Sequence, residues 1–361
     1  MTQSRAEQSR AEQSRAEQSR AEQSRAEQSR AECASVDLCK FFMAIVVIAI
    51  HVHPFEGYSR TMLLDMYDLL CGCAVPFFFM CTGYFMAQKI LYVNYEQQFT
   101  VLKRYVKKLL YLYLFWTVVY LPLTAFGYCN NTSPWWKDFI YFIHGLVVMG
   151  EHYNSWILWY LLSGIYGLLF ICFFRKREFS WKSIVWTGFV LYLCGAAITQ
   201  FVKIEGDLPV YIMWLKKFIS AIVSGRIFTS FFFIPMGILI YEMETDKWQA
   251  LGCIFAAIVL WCLGGNEIPI ISKGIIALSA IGIFAFVINV HLSYKKIYRY
   301  LRTSSMVIYF LHMWIWTLVY SVIYGKKVYG MDMFVLTLLF TLGMSLVYIL
   351  YKKRKATVQR P

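Results

Sequence analysis

The chain has 361 residues, of which 59% are hydrophobic and 16% charged, and its formal net charge is +14. A soluble fold cannot hide that much apolar surface, and a nucleic-acid-binding protein would place its basic residues on a polar face. Composition therefore predicts an integral membrane protein without a nucleic-acid partner.

The first 32 residues differ from the rest of the chain. Residues 6–30 are five copies of Ala-Glu-Gln-Ser-Arg, and a five-residue period drifts around a helix without forming an apolar stripe. Their Arg and Glu cancel, so the whole net charge belongs to residues 33–361. We predict a disordered cytoplasmic tail over 1–32, because Ala alone cannot bury enough surface to offset the entropy of ordering.

The remaining sequence predicts an all-α fold, a polytopic membrane helix bundle. A helix needs roughly 20 apolar residues to cross a bilayer. Ten segments approach that length: 34–53, 62–86, 109–126, 156–174, 183–201, 227–243, 249–264, 271–291, 305–324 and 333–351. An apolar stretch at 139–149 leaves the number open between ten and eleven. The membrane domain then covers 33–351, and a basic tail follows at 352–361.

Lys and Arg in the loops predict the orientation of the bundle, because cytoplasmic loops carry the excess. With the N-terminus inside, the cytoplasmic segments hold 25 Lys and Arg and the opposite side holds 9, counting Lys273 at the outer end of its span. We expect a cell-membrane protein with both termini in the cytoplasm. The ten Cys show no paired CxxC spacing, so we expect neither disulfides nor a metal site.

Ionisable side chains inside the first span are the leading functional candidates, since such groups are costly in a membrane. Lys40 and His51 are eleven residues apart, which places them on one helix face about 16 Å apart along the axis. Asp37 precedes Lys40 by three residues and can neutralise it. His51 exchanges protons near neutral pH, as a general base requires; a hydrogen-bonded core histidine is the alternative. His53 should point away from His51, which disfavours a two-histidine metal site.

Other candidates lie at the outer ends of the spans. Asp65 and Asp68 begin the second span near the level of His51, where they could orient its imidazole, contact a substrate or cap the helix. Glu151 and His152 adjoin an outer loop and could touch an external substrate. Arg226 precedes the sixth span, where snorkelling explains it.

A basic cluster precedes the third span: Lys103-Arg104-Tyr105-Val106-Lys107-Lys108. Topology alone explains these cations, and they also suit the phosphate groups of a cytoplasmic ligand. In the second span, Pro76 should break the helical hydrogen-bond ladder, while Thr82 and Gly83 permit close helix approach.

Several motifs occur here in a fixed order over residues 35–320. They are Asp37-x-x-Lys40 followed by His51, Val75-Pro76-Phe77-Phe78-Phe79 with Thr82-Gly83-Tyr84, the basic cluster leading into Tyr113-Leu114-Phe115-Trp116, Leu158-Trp159-Tyr160-Leu161, and Ser305-Met306-Val307-Ile308-Tyr309-Phe310-Leu311-His312. The ordered set resembles the acyltransferase 3 family of multi-spanning membrane acyltransferases, especially the membrane half of the serine racemases of vancomycin-resistance systems.

The sequence departs from the family pattern at three places. Lys40 stands where Arg is common; it keeps the charge but cannot form the bidentate hydrogen bonds of a guanidinium. Tyr105 replaces a further basic residue, and Thr82 replaces a Ser. We expect no soluble racemase or hydrolase domain after Lys352, and neither activity.

The resemblance implies transfer of an acyl group, commonly acetyl from acetyl-CoA, to a hydroxyl of an envelope glycan or lipid-linked sugar. The partners would be the acyl-CoA donor, that acceptor and the lipid bilayer. By that likeness the CoA phosphates would be held by Arg104, Lys107 and Lys108. His51 would act as general base or carry the acyl group.

Further roles follow from the same likeness. Lys40 would sit at the donor entrance with Asp37 beside it, while Trp159 and His312 would line or pack the cavity. A transporter or flippase for a small amino acid or lipid-linked sugar is the alternative function. The absence of an inverted repeat between the halves disfavours it.

Overall fold

The computed structural model describes residues 34–129, 134–204, 209–222 and 225–358. The pentapeptide repeat and the prediction of a disordered tail lie outside these residues. Within them the chain is helical, with no strand. The α-helices are α1 (Ala34–Val52), α2 (Met62–Ile90), α3 (Tyr95–Cys129), α4 (Trp135–His144), α5 (Trp159–Arg175), α6 (Trp181–Lys203), α7 (Val210–Ile222), α8 (Phe228–Glu242), α9 (Lys247–Cys262), α10 (Pro269–Asn289), α11 (Lys296–Val319) and α12 (Met331–Val358).

Nine helical segments among the described residues are long and apolar enough to cross a membrane. They coincide with nine of the ten predicted spans, which confirms the polytopic helical bundle. The predicted span at 249–264 coincides with α9, whose 16 residues extend about 24 Å. The ambiguous stretch at 139–149 forms the end of the ten-residue α4 and a π-helical turn, Gly145–Met149, too short to cross. The predicted C-terminal tail begins inside α12, which continues to Val358.

Two apolar cores lie on either side of α1. One joins α1, α2, α5, α6, α8 and α10 around large buried side chains such as Phe77, Phe233 and Phe284. The other joins α1, α3, α5 and α11 around Ile48 and Trp316. Because α1 contributes to both cores, its position and rotation are set from two sides, and so is the direction of its polar residues.

The backbones of α2 and α8 touch where the Thr82-Gly83 motif lies. A Cβ atom at Gly83 would overlap the carbonyl oxygen of Ile234, and one at Gly237 would overlap that of Met80. Neither helix could carry a side chain at these positions without moving. The two glycines therefore permit the close approach that small residues give membrane helices.

Candidate active site

A cavity of about 580 Å³ lies where α1 ends and where α5, α8 and α10 begin. Its wall combines aromatic rings with ionisable groups, the composition expected of a ligand site. The lining residues are Val47, Ile50, His51, His53, Cys71, Gly72, Val75, Pro76, Glu151, Trp156, Ile157, Trp159, Tyr160, Tyr192, Arg226, Thr229, Lys273, Ile276 and Tyr309.

His51 lies in this wall, in the last turn of α1. Its ring centroid is 5.3 Å from that of His312 and 6.1 Å from that of Trp156. His51 therefore contacts both the open cavity and a second imidazole. The sequence predicted both histidines as site residues, and the fold brings them together.

His312 is fully buried in α11. Its Nδ1 lies 3.0 Å from the carbonyl oxygen of Ile308. Because a carbonyl only accepts hydrogen bonds, Nδ1 carries the proton of the neutral imidazole and Nε2 keeps a free lone pair. Within the described residues Nε2 has no hydrogen-bond partner. His312 packs behind His51 and does not line the cavity.

His53 lines the same cavity as His51, contrary to the expectation that it would point away. The expectation assumed a continuing helix, but α1 ends at Val52 and His53 adopts a left-handed conformation with φ +47°. Pro54 disfavours a helical conformation for the residue before it. The ring of His53 packs against Tyr329 at 5.4 Å. No group of three possible metal ligands occurs in the described part of the chain.

Pro76 shapes the opposite wall of the cavity. The expected break does not divide the helix, because α2 runs from Met62 to Ile90 through the proline. Proline has no N–H, so the carbonyl of Gly72 loses its usual helical donor. Both residues line the cavity, and this turn of α2 therefore brings to the wall a backbone carbonyl that lacks its helical donor.

An ion pair lies in the cavity wall. Arg226 Nη1 lies 2.6 Å from Glu151 Oε2, and the guanidinium stands 5.9 Å from the ring centroid of Trp159. Burial raises the pKa of the Glu151 carboxyl, and the charge of Arg226 opposes that shift. Trp159 lines the cavity. Arg226 does so as well, so its role extends beyond snorkelling.

Asp65 and Asp68 lie apart from His51. Both carboxylates pair with Arg60, with 2.6 Å between Arg60 Nη1 and Asp68 Oδ2. Neither aspartate lines the cavity. The structure therefore places them in an ion-pair cluster at the start of α2, and a contact with substrate stays a prediction.

The Asp37 side chain is buried near the start of α1, and its carboxylate lies 3.8 Å from Arg302 Nη1. Lys40, the expected partner, instead places its ammonium 4.5 Å from the ring centroid of Phe85. Among the described residues Arg302 is the only cation within ion-pair distance of Asp37. The local spacing pointed to Lys40, whereas the packing of α11 on α1 brings Arg302 closer.

A second cavity of about 520 Å³ lies between α3 and the far end of α5. We call it the lysine groove, because Lys103, Lys107 and Lys176 line it together with apolar side chains and no carboxylate. Of the three predicted donor-binding residues, Lys107 lines the groove and Arg104 and Lys108 do not. The two cavities occupy opposite ends of α5.

Sequence reasoning missed several residues around these cavities. Lys176 directly follows α5, far from the α3 lysines in sequence, and its only signal was its place at the end of a span. Lys273 is a single charge in an apolar helix, which was a usable signal. Lys327 could not be anticipated: its Nζ stands 4.1 Å from the ring centroid of Trp156 and 4.9 Å from that of Trp316.

The bundle of apolar helices, with a histidine and aromatic rings in the wall of its cavity, defines a class: a multi-pass membrane protein with a candidate ligand site. A family model described as an acyltransferase domain matches residues 34–352. The chain therefore belongs to the acyltransferase 3 family, and the resemblance drawn from its motifs is confirmed. The match supports acyltransferase activity, which requires an acyl donor and an acceptor.

Three characterised relatives are similar over part of their length. Two amino-acid racemases of Enterococcus faecalis are 28% and 25% identical, over 58% and 56% of this chain and 29% and 27% of their own. A serine/alanine racemase of Enterococcus gallinarum is 24% identical over 63% of this chain and 32% of its own. The matched region thus spans about a third or less of each relative. No solved structure matches the chain.

Proposed function

We propose that the protein is an O-acyltransferase of the cell membrane that moves acetyl from cytoplasmic acetyl-CoA to a hydroxyl of an envelope glycan or lipid-linked sugar. The observation that carries this proposal is the position of His51, which lines a 580 Å³ cavity and packs on the buried His312. A proton-transfer group at an accessible surface is what acyl transfer to a hydroxyl requires.

In this proposal His51 is the general base of the transfer. A ring nitrogen of His51 takes the proton of the acceptor hydroxyl as the hydroxyl oxygen attacks the thioester carbonyl. A C–O bond forms, the C–S bond breaks, and the proton passes to the departing sulfur to give the free thiol of CoA. His312 is buried and acts through His51 as a positioning residue. Transfer through an acyl-His51 intermediate uses the same geometry.

The donor binds at the opposite end of α5. The ammonium groups of Lys103, Lys107 and Lys176 are placed to hold CoA phosphates, with Arg104 and Lys108 on the adjoining surface of α3. From Leu169, which lines the groove, to Tyr160, which lines the cavity, the axial rise along α5 is about 14 Å. The pantetheine arm would cover this distance between the helices.

The predicted membrane orientation assigns each of the two cavities to one side of the membrane. With both termini inside, the lysine groove faces the cytoplasm and the cavity faces outward. The donor then comes from the cytoplasm and the acceptor from the envelope, and Lys40 lies on α1 between the two levels.

The decisive experiment combines a purified-protein assay with envelope analysis. Full-length protein in proteoliposomes should release CoA thiol from acetyl-CoA when envelope glycans are present, and these glycans should gain the mass of one acetyl group per site. If neither acetyl-CoA turnover nor binding occurs while a small amino acid or lipid-linked sugar accumulates in the vesicles, the transporter alternative replaces the proposal.

A further inference from the structure

The cavity that holds His51 carries an excess of positive charge. Its wall contains Arg226, Lys273 and one carboxylate, that of Glu151. Arg226 and Glu151 form an ion pair with 2.6 Å between Nη1 and Oε2, so their charges cancel. Lys273 has no carboxylate within ion-pair distance among the described residues, and its charge is left for whatever enters the cavity.

Lys273 is held at this wall by its backbone. It lies in the second turn of α10 and is the only charged residue of that helix. Its carbonyl oxygen accepts a hydrogen bond of 3.3 Å from the hydroxyl of Tyr192, which lines the same cavity. An unpaired charge in an apolar membrane helix is costly, and such residues usually face a substrate path.

We infer that the acceptor is anionic and that Lys273 binds its negative group, a phosphate or a carboxylate beside the hydroxyl that receives the acyl group. Arg226 contributes as well, because a guanidinium has five N–H donors and one Nη faces Glu151. That the bound anion belongs to the acyl acceptor rests on the proposed function. The anion site itself rests on the charges of the cavity.

A neutral glycan would leave the ammonium of Lys273 without a counter-charge inside the cavity. An oxyanion forms a charge-assisted hydrogen bond with it. Phosphate would come from a lipid-linked sugar, and carboxylate from an acidic sugar. Both sources share the chemistry that Lys273 recognises, and different probes separate them.

Site-resolved amine labelling tests the inference without relying on activity. Full-length protein in detergent is acetylated with an N-hydroxysuccinimide ester, and the labelling rate of each lysine is read by mass spectrometry. We expect sodium pyrophosphate or sodium glucuronate to slow labelling of Lys273 several-fold relative to sodium chloride of equal ionic strength. The exposed Lys137, beside Trp136 on the same predicted side, should be unaffected.

The pattern of protection identifies the anionic group of the acceptor. Protection by pyrophosphate alone assigns a phosphate-bearing acceptor, protection by glucuronate alone assigns an acidic sugar, and protection by both supports a general oxyanion site. If neither anion protects Lys273, the side chain only snorkels to the outer surface and the inference is wrong.

Variants of Lys273 test anion binding independently of acyl transfer. The thermal stabilisation given by the protecting anion should persist in K273R, disappear in K273M and be unchanged in K137M. If anion binding follows this pattern but acetyl-CoA is never turned over, the anion site stands and the acyltransferase proposal fails. If acetyl transfer to a neutral glycan proceeds equally in K273M, the proposed function stands and the anionic acceptor is wrong.

Discussion

His51 and His312 lie with their ring centroids 5.3 Å apart, one facing the cavity and the other buried behind it. The hydrogen bond from His312 Nδ1 to Ile308 leaves the His312 Nε2 lone pair without a partner among the described residues. The pair therefore combines an accessible imidazole, His51, with a fixed and buried one, His312. Substitutions of the two should therefore have different effects on the kinetics.

Replacement of His51 by Ala should lower acetyl transfer by about 100-fold or more, because general acid–base catalysis contributes 10²–10⁴-fold. The rate of CoA thiol release measures the effect, and size-exclusion chromatography checks folding. His291, exposed beyond α10, provides the matched control: H291A should keep its rate within twofold. Full activity in a folded H51A protein would remove His51 from the mechanism.

Substitution of His312 should affect turnover more than binding, because His312 acts through His51. We expect H312L to lower kcat on the order of tenfold with little change in KM for acetyl-CoA, as a displaced catalytic group does. H312N should recover part of the rate, since its amide nitrogen stands near the position of Nδ1 and can still donate to the Ile308 carbonyl. An equal loss in both folded variants, accompanied by a raised KM, would contradict a positioning role.

Donor binding should depend on the lysine groove. Replacing Lys103, Lys107 and Lys176 by Ala should raise KM for acetyl-CoA at least about tenfold and leave kcat nearly unchanged, because each lost charge-assisted hydrogen bond is worth roughly 1.5–3 kcal/mol. The exposed Lys182 at the start of α6 supplies a control, K182A. If R104A combined with K108A raised KM for acetyl-CoA more than the triple lysine variant does, the phosphates would bind on the adjoining face of α3 instead.

Stability should fall in acid because of His152. Its side chain is buried against Phe142, and neither ring nitrogen has a hydrogen-bond partner among the described residues. Burial lowers the pKa of His152 to about 4 from its ordinary 6.5. The unfolded chain therefore binds a proton below pH 6.5 that the folded protein takes up only near pH 4. The folded state loses up to about 3 kcal/mol over this window.

Thermal unfolding in detergent between pH 7 and pH 4 measures this contribution. H152L should flatten the decline of Tm, while H291L at an exposed position should leave it unchanged. An identical slope in H152L and the unmodified protein would assign the acid sensitivity to other groups.

The membrane orientation depends on α9, which is shorter than the other candidate spans. It packs along α10 and joins it through a short turn that contains Gly264 at φ +80°, the arrangement of antiparallel neighbours. We predict that α9 crosses the membrane and that both termini lie inside. Green fluorescent protein fused at either end should fluoresce, and alkaline phosphatase inserted at 263–268 should be active outside. Termini on opposite sides would show that α9 does not cross.

The class of protein could be predicted from the sequence because hydrophobic runs and loop charges are local properties. Nine of the ten spans coincide with helices that can cross a membrane, and the ordered motifs identified the family. His51 stood out for the same reason, since an ionisable side chain inside an apolar run is visible without any contact.

Tertiary packing decided which of these groups meet. His312 lies beside His51 only because α11 packs along α1, and that same contact brings Arg302 rather than Lys40 to Asp37. Lys176 joins Lys107 because α3 and α5 are neighbours. Helical spacing relates residues within one helix, whereas contacts between helices depend on how all the apolar faces pack together. The amino-acid sequence by itself therefore determined the bundle and many of its candidate residues, and the fold alone decided which of them line a cavity.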